Sequence, residues 1–209
     1  MPFDLWLAFA AASTALLLIP GPTVLLVLSY ALSKGRPVAV ASATGVALGD
    51  LIAMSASLAG LGALVLASAT LFTALKWVGA AYLLWLGFKL LRSAPSQGMG
   101  TVSTDKGVTP RSVFVHAAAV TALNPKSIAF FIAFVPQFLR PSEPLLPQFA
   151  VLIATFVGLA GFNALAYALL ADKLRQWIGR PSVITGLTRF GGVMLMGMGV
   201  ATAFLRRPT

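Results

Sequence analysis

The chain contains no cysteine and one histidine. It is also poor in charge: 15 basic and five acidic residues make up 10% of its 209 residues. Without cysteine there is no disulfide, thiolate metal site or cysteine nucleophile. His116, alone and without thiol partners, leaves a metal centre short of its usual ligands. The shortage of charge excludes more. A soluble domain carries about 25% charged residues, so this surface could not be solvated by water. Apolar residues reach 58% and mean hydropathy is +0.91, which fits an integral membrane protein. A glycine-rich phosphate loop, a nucleophile elbow and a zinc-protease motif are also missing. No enzyme activity and no cofactor are expected. The net charge of +10 would suggest nucleic acid in a soluble protein. Here the basic residues stand at the ends of apolar runs, as orientation signals do, so the expected partner is the lipid bilayer. Met1 to Leu5 carries Asp4 and no Lys or Arg, so no signal peptide is expected.

What is present is a series of six apolar runs. They extend from Leu5 to Leu32, Val38 to Leu66, Leu71 to Leu91, Ser112 to Phe138, Pro147 to Leu170 and Val183 to Leu205. Each meets the roughly 20-residue requirement for crossing hydrocarbon. Residues 1–92 and 112–209 then form two halves of one membrane domain, joined by a Gly/Ser/Thr/Pro-rich linker over 93–111. Lys34, Arg36, Lys89, Arg92, Lys106, Arg111, Lys173, Arg175, Arg180 and Arg189 lie on one side of this arrangement. Lys76, Arg140, Arg206 and Arg207 lie on the other. The richer side is expected in the cytoplasm, with both termini outward. Trp77, Trp85 and Trp177 fall near the expected interfaces, where amphipathic rings are favoured.

The first run is interrupted by Pro20-Gly21-Pro22. Each proline removes an N–H and clashes one turn back, at about 3 kcal/mol or more in a helix interior. Pro20 strands the carbonyl of Leu16, and Pro22 that of Leu18. In lipid such a break is tolerated only against protein or beside a wet cavity. The triplet therefore marks a kink against a neighbour or part of a binding site. A second break, Asn124-Pro125-Lys126, interrupts the fourth run and strands the carbonyl of Thr121.

The two breaks belong to a weak internal repeat. Gly49-Asp50 in the second run answers Phe162-Asn163 in the fifth, and Gly79 and Gly87 in the third answer Gly191 and Gly199 in the sixth. Three spans per half place the second half upside down. The expected fold is all-α, with six transmembrane helices in an inverted 3+3 repeat and broken first and fourth helices. Secondary transporters have this design, with sites near the midplane.

Asp50 lies about twelve residues into the second run, hence roughly 18 Å deep. An Asp at a helix centre costs about 2.5–3.5 kcal/mol on insertion scales. Such residues face the bundle interior and mark ion or substrate paths; the bland alternative is a cap or a structural pair. Gly45 and Gly49 give its helix a surface for close packing. Lys126 lies at a similar depth and is the natural partner. Asp50 and Lys126 are expected within reach of each other or of one zwitterionic substrate. Its ammonium would meet Asp50 and stranded carbonyls; its carboxylate would meet Lys126 or the free N–H groups of a half-helix. A substrate competing for Lys126 would alter proton binding at Asp50, a simple route to exchange. Asn163 and Tyr167, four apart, share a helix face. With Asn124 they are candidates for the cavity or for hydrogen bonds between helices. Tyr82 reads as interfacial packing, His116 as an interfacial histidine, and Met194, Met196 and Met198 as packing.

Taken together, Pro20-Gly21-Pro22, Gly45-xxx-Gly49-Asp50, Lys76-xx-Gly79-Ala80-Ala81-Tyr82-Leu83-xx-Leu86-Gly87 and Asn124-Pro125-Lys126 resemble the LysE/RhtB family. These are lysine and homoserine–threonine efflux proteins, and the resemblance covers essentially the whole chain. It implies a small inner-membrane exporter of amino acids or their derivatives, driven by the proton gradient and often associated as homo-oligomers. It implies site roles for Pro20, Gly21, Pro22, Asp50, Asn124, Pro125 and Lys126. The rival readings are export of a metal ion or other small solute, and a non-transporting membrane scaffold. Lack of cysteine and a single deep carboxylate oppose the metal.

Overall fold

The computed structural model describes residues 1–19, 21–67, 69–92, 109–140, 143–171 and 181–204. Pro20, most of the linker (93–108), the segment 172–180 with Trp177, and 205–209 with Arg206 and Arg207 lie outside the described residues. Among the described residues there are helices and no strands. Helix α1 covers Phe3–Leu18, α2 Pro22–Lys34, α3 Arg36–Ala67 and α4 Ala69–Arg92. After the linker come α5 (Pro110–Ala122), α6 (Pro125–Ala133), a 3-10 turn (Val135–Phe138), α7 (Leu145–Leu169) and α8 (Pro181–Phe204). Four of these helices open on proline, at Pro22, Pro110, Pro125 and Pro181. The first helical position needs no N–H, so a residue that breaks a helix interior is well placed to start one. Between α2 and α3 the chain reverses at Gly35, whose φ of 80° is the one positive value among the described residues and suits glycine alone.

By length and apolarity, α3 (over Arg36–Ala63) and α7 qualify as membrane spans. Two bent pairs raise the number to four: α1 with α2, bent by 55°, and α5 with α6, bent by 45°. The expected breaks in the first and fourth runs are thus present. The two 24-residue helices α4 and α8 do not meet this test.

Small residues decide the packing. A side chain at Gly49 would bring its Cβ to 2.5 Å from the Ala118 carbonyl oxygen, and one at Gly45 would strike that of Phe114. The Gly45–Gly49 surface is where α3 and α5 run together, as close approach of small residues allows. Helices α4 and α8 pair the same way: a Cβ at Gly87 would lie 2.6 Å from the Gly192 carbonyl oxygen. Helix α3 also packs along α7.

The core divides into two kinds of filling. Phe9, Phe130, Phe131, Phe156 and Phe138 are buried together, with Phe131 edge-on to Phe156 at 4.8 Å. Such pairs add about 0.5–1.5 kcal/mol beyond their area. The other half is filled by Val27, Ala39, Ala43, Ala117, Ala164 and Ala168. The site lies between them.

Candidate functional site

Helix α1 stops at Leu18, leaving its last carbonyls without partners one turn on. Three carbonyls at this end receive donors from the other half of the chain. Lys126 Nζ donates to Leu16 O and to Ile19 O, both at 3.3 Å. Asn163 Nδ2 donates to Leu17 O at 3.2 Å. Leu16 O also accepts from the Ile19 N–H at 3.3 Å. The negative end of a half-helix is a favourable place for an ammonium, which explains why Lys126 turns there. Of the two carbonyls expected to await a ligand at this break, that of Leu16 is therefore already engaged by Lys126, along with its neighbours on Leu17 and Ile19.

The second break faces the first. Asn124 caps α6: its Oδ1 accepts from the Lys126 N–H at 3.1 Å, and its Nδ2 donates to Thr23 Oγ1 at 3.3 Å. Residues of the two broken helices thus tie the start of α6 to the start of α2. Gly21 sits where a Cβ would approach Lys126 Nζ to 3.3 Å. Its extended backbone suits any residue, so the constraint there is space.

Asp50, on α3, is 3% exposed. Its carboxylate makes no hydrogen bond or ion pair with any described residue. The ion pairs within 4.0 Å among the described residues join Glu143 to Arg140 and to the Met1 amino group. Asp50 and Lys126 attract one another through space, but the expected direct pair is not formed, because Lys126 is held by the α1 carbonyls.

Both charges line one cavity, with Gly21, Asn124, Asn163 and Tyr167. Apolar walls come from Leu16, Leu17, Val24, Val27 and Val46. The space open to the centres of water-sized molecules is about 30 Å³, room for roughly two waters. The cavity ends one turn short of the aromatic filling on two helices: Ser127 lines it and Phe130 does not, and Ala160 lines it where Phe156 does not.

A family model described as LysE type translocator matches residues 14–205. The chain belongs to the LysE translocator family. Among its relatives, this LysE chain is 34% identical over 206 residues to the homoserine/homoserine lactone efflux protein of Salmonella typhimurium, covering 99% of both chains. It is 33% identical over 204 residues to an uncharacterized membrane protein of Vibrio cholerae, covering 97% of this chain and 98% of that one. It is 31% identical over 165 residues to the leucine efflux protein of Salmonella typhimurium, 78% and 77% of the two chains. No solved structure matches.

Of the residues expected to form a site in this LysE chain, Gly21, Asp50, Asn124, Lys126, Asn163 and Tyr167 come together at the cavity. Gly49 does not; it faces α5 one residue before Asp50. Pro125 opens α6, and Pro22 opens α2. Both shape the breaks, and Pro125 is not among the cavity-lining residues. Two hydroxyls were missed, Thr23 and Ser127. Each lies within two residues of a proline break, and that proximity was the available signal. His116 lies away from the cavity on α5, with its Nδ1 2.9 Å from the Tyr30 hydroxyl. Tyr82 packs against Trp85 with ring centres 5.6 Å apart. Met198 is buried in the core with Met194 packed against it, as fillers do.

Proposed function

We propose that this chain is a secondary transporter that exports a small amino acid or amino-acid derivative from the cytoplasm, by proton antiport, across the cell inner membrane. One observation carries the reading: a buried carboxylate without a partner among the described residues, Asp50, faces a cavity between two broken helices. An unpaired carboxylate at that depth is expensive and has a functional explanation by default. If Asp50 holds a proton in one half of the cycle and a cationic group of the substrate in the other, the two exclude each other, and exclusion is the basis of exchange. The names of relatives that export homoserine, homoserine lactone and leucine support the substrate class.

We read the scaffold as six spans in an inverted 3+3 repeat. The paired breaks support it, and so does the packing of α3 on α7 and α4 on α8. A two-fold axis exchanging the halves would carry each of these helices onto its partner. The surplus of Lys and Arg supports a cytoplasmic linker and outward termini.

The test is efflux from cells preloaded by dipeptide feeding, comparing wild type with Asp50→Asn at equal membrane abundance. The wild type should accumulate one amino acid outside, and the variant should slow this at least tenfold. Equal rates for every amino acid would sink the reading. Loss of the variant from the membrane would instead point to a scaffold role for Asp50.

A further inference from the structure

The hydrogen bonds at the cavity are unevenly distributed between its cationic and anionic groups, and this has a consequence for the ligand. The inference rests on the export reading above and adds to it which part of the substrate is recognised. The obvious cation for a substrate carboxylate is Lys126, but its Nζ donates to two backbone oxygens, Leu16 O and Ile19 O. Each side-chain amide has one of its two N–H donors engaged in the same way. Asn163 Nδ2 donates to Leu17 O, and Asn124 Nδ2 to Thr23 Oγ1. The strongest acceptor, the Asp50 carboxylate, is buried and has no partner among the described residues.

Besides the hydroxyls of Ser127 and Tyr167, a set of backbone donors remains on the cavity wall. Helix α2, 13 residues long, begins at Gly21 with no side-chain cap. Gly21, Thr23 and Val24 all line the cavity, and Pro22, between them, has no N–H to offer. The first-turn amides of Thr23 and Val24 therefore have no partner within their helix. Such amides favour an anion, but with only partial charge. Asp50, more than nine-tenths buried, lines the same cavity. The cavity thus offers one full negative charge without a partner among the described residues and a neutral donor set at the start of α2, while two of the three N–H donors of Lys126 are engaged by the end of α1.

We infer that the α-ammonium of the substrate is the recognised charge, bound at Asp50, while its carboxylate is an accessory group bound at the N-terminus of α2 and not by Lys126. Amino compounds whose carboxylate is masked, such as amides and lactones, are then ligands. Compounds whose amine is masked by an acyl group are not. Lys126 is a positioning residue that holds the end of α1 in place.

The experiment is equilibrium binding to the detergent-purified full chain, read by intrinsic tryptophan fluorescence or calorimetry. Four probes are used: leucine, leucinamide, homoserine lactone and N-acetylleucine. The same protein in proteoliposomes is tested for counterflow of leucine and homoserine. Leucinamide or homoserine lactone should bind within about tenfold of the best free amino acid, and N-acetylleucine at least a hundredfold more weakly. Asp50→Asn should abolish amide binding. Lys126→Met should weaken leucine and leucinamide by the same factor, since no contact specific to the carboxylate is lost. N-acetylleucine binding as well as leucinamide, or a selective loss of leucine on Lys126→Met, would overturn the inference. So would binding of none of the probes. Amide binding without counterflow would leave the ammonium site standing and remove the export reading, so the two can fail separately.

Discussion

At the scale of single residues, the site is set by which groups have partners. Lys126 and Asp50 are both buried charges, but Lys126 has found backbone oxygens and Asp50 has not. Removing the ammonium should expose that difference. Lys126→Met leaves Ile19 O without its donor and takes one of two from Leu16 O. A buried group left unsatisfied costs about 1–3 kcal/mol, so a lower midpoint of thermal unfolding in detergent is expected, with loss of efflux. An unchanged midpoint would mean that these hydrogen bonds do not hold the break. Glycines offer a sharper comparison. At Gly49 a new Cβ would meet Ala118 O at 2.5 Å and Thr121 Cβ at 2.7 Å; at Gly60 nothing lies within 4 Å. Gly49→Ala should destabilise by about 1–3 kcal/mol, as overpacking does. Gly60→Ala should be neutral or stabilising by about 1 kcal/mol at most, from helix propensity. Thermal unfolding of the two variants, side by side, checks both; equal shifts would refute the close α3–α5 contact.

At the scale of elements, each break serves two purposes. It ends one half-helix, whose carbonyls then require donors, and starts another, whose amides require acceptors. Asn124 and Lys126 meet part of both needs, which is why the breaks lie against each other. Restoring one missing N–H should shift this arrangement. In Pro125→Ala the amide at position 125 can donate to the Thr121 carbonyl, where the Asn124 N–H now donates at 3.1 Å. The α5–α6 bend of 45° then loses its steric cause. The expected result is retained abundance and unfolding temperature with efflux at least tenfold slower. Full activity would show that Asn124 alone maintains the break. The motif Asn-Pro-Lys was legible in the sequence because proline and lysine are rare at such depth. The direction in which Lys126 turns was not, because Asp50 and the stranded carbonyls were both reasonable partners for it.

At the scale of the whole molecule, the two fillings of the core imply a direction of opening. Aromatic side chains close the half that holds α1 and α6, and alanines fill the half that holds α2 and α5. Large rings buried against each other resist separation more than small side chains do. With the expected orientation, the aromatic half faces outward. Absence of native cysteine makes this orientation easy to test. Arg36→Cys lies at the first residue of α3, and Glu143→Cys in the loop before α7. A membrane-impermeant maleimide added to intact spheroplasts should label Glu143→Cys at once and Arg36→Cys only after permeabilisation. The reverse pattern would invert the orientation; labelling of both would refute an odd number of crossings between them.

The sequence by itself determined what depends on composition and local sterics. Scarce charge required a membrane, prolines broke α1 from α2 and α5 from α6, and Gly45 and Gly49 marked a close helix contact. These follow from backbone donors, side-chain volume and transfer free energies, which are local properties. The tertiary structure alone decided the pairing of groups far apart in sequence. It put Lys126 on the end of α1, 107 residues from Ile19, brought Thr23 to Asn124, and turned Gly49 toward α5 while Asp50 lines the cavity. Which acceptor a buried ammonium reaches depends on the relative placement of helices, and no local pattern carries that information.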